Sequence, residues 1–500
     1  MKNVNILFET LIVSTLFAVC AFGELEVGIE SAVELSADVS SSKVYVVEQT
    51  TNLLDASAWE SLDVSYLTFS NHTARWYMLV DSPQKTFRLV ERDAEYVDYA
   101  MDYMDQVADT MPESMGSFID WIKKEIAALV RVAVKDRLCR SIVYKTHDAE
   151  GMVQKVSGLI TAPNTPATNS WPMILYQHPT QVVRMYSPSH ASVNILDDQL
   201  AWFLADVMRM CGFIVLEADY PGMGVNLNVH PYCHESIANS VIDMIPAATN
   251  FLAEVAPNIQ WNGDLYLMGY SEGGYVTMVT AKKMQEDYPG RFDIKYVYCM
   301  DAPLCLSGTM RELMLDATAD YSAPYFLPYF ISAYSEIYSD TIPEIAFTNS
   351  IVNNVSGYTN YPAYLRARLN GDYTSEEISA IIRKVVPYEG PSSAMTPQII
   401  AELEDLSSDL YQVLNTNNAY NAFNPEIPVK LYHNELDDCV PYGNSTNAMA
   451  YFDVHATHTT PELVSYTAYI DGLGSIHAGS FPIAFSLAFL DLYIHAYLEE

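Results

Sequence analysis

Residues 265–274 read LYLMGYSEGG: an apolar run from Leu265 to Met268, then Gly269-Tyr270-Ser271-Glu272-Gly273. The pentapeptide is G-x-S-x-G, and a helix-like segment follows it. That is the setting of a nucleophile elbow. A serine at so sharp a strand-to-helix turn sits in a strained backbone conformation, with its Oγ pushed out over the sheet edge. Glycines on either side lack a Cβ and let strand and helix approach closely. The helix behind Ser271 turns its positive dipole end toward any negative charge that develops there. The bare pattern arises by chance in roughly one such chain in fifteen, so the flanking residues and downstream partners must carry the reading.

Outward from this stretch, composition narrows the possibilities. The chain has 500 residues, half of them hydrophobic, with room for a sizeable core and for about two or three domains. A formal net charge of -36 repels phosphate backbones and argues against a nucleic-acid partner. Residues 1–23 read as a signal peptide: Lys2 supplies the positive start and ILFETLIVSTLFAV an apolar core. Ala21-Phe22-Gly23 offers small residues before a cut near Glu24. Cys20 leaves a lipid anchor as the alternative, against the wrong residues before it. The expected location is secreted or periplasmic. Cleavage would leave Cys139, Cys211, Cys233, Cys299, Cys305 and Cys439, whose pairing the sequence leaves open. No C-x-x-C or His/Cys cluster argues for a metal site, and no cofactor motif occurs.

Residues 24–92 are β-rich: Val44 to Val47, Trp76 to Val80 and Phe87 to Val90 are short apolar or alternating runs between polar turns. They read as a small accessory segment. Residues 93–138 carry apolar positions at helical spacing and read as a helical connector. From 139 strand and helix alternate. Met152 to Ala162, Met173 to Tyr176, Phe213 to Leu216, Leu265 to Tyr270 and Ile294 to Met300 read as strands. Ile195 to Met210, Ile237 to Val255 and Ser271 to about Tyr288 read as helices. Residues 306–425 break the rhythm, and a Tyr- and Pro-rich helical stretch of that length reads as an inserted cap. Strands return at Val429 to Tyr432 and Val464 to Ile470, before a last helix from about Phe481 to Leu498. That helix is apolar enough to resemble a membrane span, but Asp491 and His495 favour a packed core helix over a stable span. The whole predicts a mostly parallel α/β sheet.

Two segments offer partners for Ser271. Residues 428–442, PVKLYHNELDDCVPY, place acids just past a strand. A buried carboxylate there can take the Nδ1–H of a histidine and fix its tautomer. The D-x-x-V-P spacing selects Asp437, with Asp438 as rival. His477, in DGLGSIHAGSF, follows the last strand on what reads as a glycine-rich loop before the final helix. It can serve as general base and then general acid. The chain order is therefore Ser, Asp, His.

With these residues in order, residues 139–500 resemble the α/β-hydrolase superfamily, and in particular its secretory lipase branch. Stretches YQHPTQ, ADYPGMG, HPYCHESIANSVIDMI, GYSEGG, HNELDDCVPY and GSIHAGSF carry the likeness. The resemblance implies an α/β-hydrolase fold with a helical lid at about 306–425. It also implies an oxyanion loop at Tyr176 to Thr180, where the family usually has a glycine after the histidine. Here Pro179 has no N–H. The donors are then expected at Thr180 and at the backbone of Glu272. His178 is either part of that site or holds the loop by a hydrogen bond. Asp219 to Gly222 and His230 to Tyr232 would shape the pocket, with no catalytic role. The expected activity is hydrolysis of a small-molecule or lipid carboxylic ester through an acyl-enzyme, without cofactor or metal. A serine peptidase and a non-catalytic binding protein of the same fold are the alternatives. Cap residues Tyr321, Tyr325, Phe326, Tyr329 and Phe330 are expected either to line an apolar acyl pocket or to pack cap on core.

Overall fold

Apolar runs without polar alternation belong in a parallel sheet covered on both faces. The runs between residues 137 and 466 form one such sheet of eight strands. The structure is a computed structural model. It describes residues 10–11, 31–38, 44–50, 60–61, 66–70, 73–80, 86–92, 137–165, 167–181, 184–190, 207–323, 326–338, 390–395, 397–470 and 474–498, with backbone alone before residue 138. The predicted connector to residue 136, most of the predicted helix 195–210 and nearly all of the predicted leader lie outside the described residues.

The sheet strands are β1 (Arg137–His147), β2 (Val153–Pro163), β3 (Asn169–Gln177), β4 (Ile214–Ala218), β5 (Ile259–Tyr270), β6 (Asp293–Met300), β7 (Val429–Asn434) and β8 (Glu462–Tyr466). Their order is β1-β2-β4-β3-β5-β6-β7-β8. β1 and β2 form an antiparallel hairpin, and β2 meets β4 antiparallel. All other pairs are parallel. Registers such as Gln177↔Gly269↔Cys299 bring the carboxyl ends of β3, β5 and β6 level. In open sheets of this kind the groups that do chemistry gather beyond those ends.

The helices that matter to the site are α1 (Ile237–Val255), α2 (Glu272–Asp287), α3 (Arg311–Leu315), α4 (Phe326–Ile337), α5 (Pro397–Glu404), α6 (Asp409–Thr416), α7 (Gly443–His455) and α8 (Ile476–Tyr497). One sheet face buries Leu175, Leu216 and Leu267 against Val241, Ile245 and Val276 from α1 and α2. The opposite face buries Tyr176, Phe213, Met268 and Tyr270 against Phe481, Phe485, Phe489 and Leu492 of α8. α8 is long and apolar enough to cross a membrane by length and composition. Its apolar side instead forms this second core layer. Between β6 and β7 every described helix or strand is helical, from the π-turn Leu306–Met310 through α3 to α6.

Before the main sheet, residues 31–92 form strands in two small antiparallel sheets, so the N-terminal segment is β-rich. Among the predicted boundaries that move, two lie close to the site. β8 runs over Glu462–Tyr466 and not to Ile470, because its partner β7 ends at Asn434, opposite Tyr466. α8 begins at Ile476, five residues before Phe481, because Ser475 caps it. The Ser475 Oγ accepts the Ala478 N–H at 3.0 Å, a local signal sufficient to start the helix.

Candidate functional site

The elbow forms for the steric reason the sequence offers. Ser271 has φ 56° and ψ -123°, a conformation a serine adopts only under constraint. Its N–H donates to the Met300 carbonyl at 2.8 Å, which clamps the turn to β6. A Cβ on Gly269 would lie 2.2 Å from the Gly273 carbonyl oxygen, and one on Gly273 only 1.9 Å from that of Gln177. Both obstacles are backbone and cannot swing away. Gly273→Ala is therefore expected to cost about 3 kcal/mol or more, read as a loss of unfolding free energy in denaturant.

Two elements then converge on Ser271. β7 ends at Asn434, and the turn after it carries Asp437. α8 carries His477 in its first turn, and not on a loop as its glycines suggest. The His477 Nε2 lies 2.9 Å from the Ser271 Oγ, and its Nδ1 lies 2.6 Å from the Asp437 Oδ2. The other Asp437 oxygen accepts the backbone N–H groups of Cys439 at 2.8 Å and Val440 at 2.7 Å. The rival acid has a different place. The Asp438 Oδ1 accepts the His477 backbone N–H at 3.0 Å, so adjacent acids hold the ring and the main chain of one histidine. Tyr270 also donates its hydroxyl to the His477 carbonyl.

Electrostatics follow this geometry. Burial works against charge on His477, but the Asp437 carboxylate, with Asp301 and Asp438 behind it, lifts its pKa above the ordinary imidazole value. Burial also opposes charge on Asp437. The His477 charge and hydrogen bond, then His433 and the Val440 N–H, outweigh it and hold the carboxyl below its usual range. Sequence reasoning missed Asp301, which sits just past β6 and is fully buried. Its carboxyl accepts the Asn434 N–H at 2.7 Å and the Tyr466 hydroxyl. Burial, and then the Asp437 charge, push its pKa up against the pull of His433 and His477. Asp301, His433 and Asp437 are close enough to hold a cation. Yet His433 spends one ring nitrogen on the Ser445 Oγ at 2.7 Å and the other on the Val440 carbonyl at 2.8 Å. No lone pair on it is left to aim at a metal.

The loop after β3 lies against the start of α2, because the Gln177 and His178 carbonyls back onto Gly273. His178 donates from Nδ1 to the Pro179 carbonyl at 2.7 Å, which is the loop-holding bond the sequence offered as one of its readings. Thr180 is half-buried in the same loop, its Oγ1 3.5 Å from the Tyr232 hydroxyl. Glu272 opens α2 and brings its backbone N–H to the elbow. Its side chain was not foreseen to matter. It is fully buried and meets the His230 Nε2 at 2.6 Å.

A small cavity of about 40 Å³ adjoins Ser271. Leu306, Met310 and Met314 line it, with Tyr321, Phe326 and Phe330 from the helical stretch above. Tyr329 is buried beside His230, and Tyr325 lies outside the described residues. Among the described residues no charged side chain lines this cavity. Cys211, Cys233, Cys299, Cys305 and Cys439 are free thiols among the described residues.

No protein-family model and no curated protein sequence matches the chain. Solved structures do. One similar structure is a candidate hydrolase from Legionella pneumophila, at 23% identity and a TM-score of 0.59, over 76% of this chain and 96% of that one. Another is the rice cell wall degrading esterase LipA from Xanthomonas oryzae, at 20% identity and a TM-score of 0.58, over 75% and 93%. The fold is the α/β-hydrolase fold. Identities this low speak for the fold alone, so chemistry must be argued from the site. In α/β-hydrolase terms, Ser271 follows β5, Asp437 follows β7, and His477 follows β8 on the last helix.

Proposed function

We propose that this protein is a serine hydrolase that cleaves carboxylic esters through an acyl-enzyme. One observation carries the reading: the unbroken chain from the Ser271 Oγ through His477 to Asp437, at 2.9 and 2.6 Å, in the order Ser, Asp, His. Asp437 takes the Nδ1–H and leaves the Nε2 lone pair facing the serine hydroxyl. His477 removes that proton as the Oγ attacks the ester carbonyl, and returns it to the leaving alcohol. Water then repeats the sequence and frees the acid. The Glu272 N–H, at the positive end of α2, and Thr180 are the proposed donors to the oxyanion. The uncharged cavity suits an apolar acyl or alcohol group. Residues 1–23 support export, and the quoted motifs support a place near the secretory lipases.

The test is a fluorophosphonate probe, with the modified peptide mapped by mass spectrometry, beside turnover of p-nitrophenyl esters and peptide anilides. Labelling at Ser271 with ester turnover is expected. Anilides cleaved faster than esters would move the reading to a peptidase, and no labelling at Ser271 would overturn it.

A pH profile follows from the site. The base must be neutral, and its neighbours hold His477 above the ordinary value of about 6.5. The acid limb of kcat/KM is therefore expected to have its midpoint above that value. Asp301→Asn removes a negative charge that favours the imidazolium, so it should move the midpoint to lower pH.

A further inference from the structure

The residue after the nucleophile carries an acid that the reaction above does not use. Glu272 and His230 are both sealed from solvent, and the Glu272 Oε1 lies 2.6 Å from the His230 Nε2. The other ring nitrogen fixes the proton count. The His230 Nδ1 lies 2.8 Å from the Pro221 carbonyl oxygen. A carbonyl only accepts, so Nδ1 carries a hydrogen. At 2.6 Å a bare Nε2 lone pair and a bare carboxylate oxygen would repel, so a second proton sits between them. The pair is then imidazolium with carboxylate, or imidazole with carboxylic acid. Either way its net charge is zero. Among the described residues the buried Glu272 Oε2 has no hydrogen-bond partner, a poor place for an uncompensated negative charge.

We propose that Glu272 and His230 are a positioning pair that shares one proton, and that its neutrality protects the oxyanion formed at the Glu272 N–H. The inference rests on the reading of Ser271 as nucleophile and of the Glu272 backbone as oxyanion donor. Side chain and donor belong to one residue, so a net negative charge on the pair would oppose the negative charge that develops on the substrate. The surroundings keep the pair in place and dry. The Tyr220 ring stacks between those of His178 and His230, at centroid distances of 4.1 and 5.9 Å. Tyr329 stacks on His230 as well, at 5.7 Å. The Tyr220 hydroxyl also donates to the His178 carbonyl at 3.1 Å, so one stack joins the pair to the loop that carries Thr180.

Charge and contact can be separated by substitution. His230→Gln keeps an N–H donor toward Glu272 but brings no proton to share, which leaves the carboxylate with its charge. For unit charges several ångströms apart in a buried site, kcat should fall on the order of 10²-fold, with KM moved far less. Adding Glu272→Gln to that variant removes the charge and is expected to recover at least tenfold. Glu272→Gln alone keeps a neutral pair and should lower kcat less than about tenfold from the wild type, a comparison that does not depend on how His230→Gln folds. Thermal melting reports folding in each case. A double variant no better than His230→Gln, or a Glu272→Gln as damaging as His230→Gln, would show a structural contact only and overturn the proposal. Failure of the underlying reading looks different: the wild type would then show no fluorophosphonate on Ser271.

Discussion

Ser271→Ala is expected to lower kcat toward esters by about 10⁵-fold or more and to abolish fluorophosphonate labelling, with little change in thermal stability. The magnitude follows from losing the covalent route through the Ser271 Oγ. His477 would remain poised on Asp437 with nothing to deprotonate except water. Residual rate over the uncatalysed reaction should persist, because the α2 N-terminus and the cavity still bind the ester. The stability term is small because the serine hydroxyl contributes one hydrogen bond at a site whose strain lies in the backbone, with φ 56°. A variant that kept more than a hundredth of the wild-type rate, measured on protein free of wild-type contamination, would place the nucleophile elsewhere.

Asp437→Asn comes second, with an expected loss of about 10⁴-fold in kcat. An amide that turns its NH₂ to His477 forces the Nδ1 to accept, which moves the ring hydrogen to Nε2, toward the serine. The base is then blocked while the packing is preserved. Asp438→Asn is the matched control. Its role is to accept the His477 main-chain N–H at 3.0 Å, and an amide oxygen does that almost as well. A loss below tenfold is expected there. Steady-state kinetics on the purified pair decides, and equal losses would remove the distinction between the adjacent acids.

That distinction shows where sequence reasoning reached and where it stopped. Ser271, Asp437 and His477 were legible because each sits on a short motif beside an apolar run, and the α/β-hydrolase order of those runs fixes where strand ends meet. The D-x-x-V-P spacing worked for a physical reason: Asp437 accepts the N–H groups of residues two and three positions on, which that spacing supplies. Asp438 stood beside it with no local mark of its own task. The loop assigned to His477 was an error of weighting. Glycines were read as loop, while Ser475, a good N-cap two residues before His477, was the stronger signal. The end of β8 was beyond local reading, because the length of β7 sets it. Glu272 and His230 lie 42 positions apart and meet only once α2 docks under the loop after β4. Asp301 was hidden for the same reason: nothing near it in the chain reveals that β7 and β8 bring Asn434 and Tyr466 to its carboxyl.

The helix that carries His477 has a double allegiance. Its first turn delivers the imidazole, while its remaining turns supply Phe481, Phe485, Phe489 and Leu492 to one of the two hydrophobic layers. Alignment of the proposed base and global folding are thus written on a single helix. Improvements to one cannot be sought there without renegotiating the other.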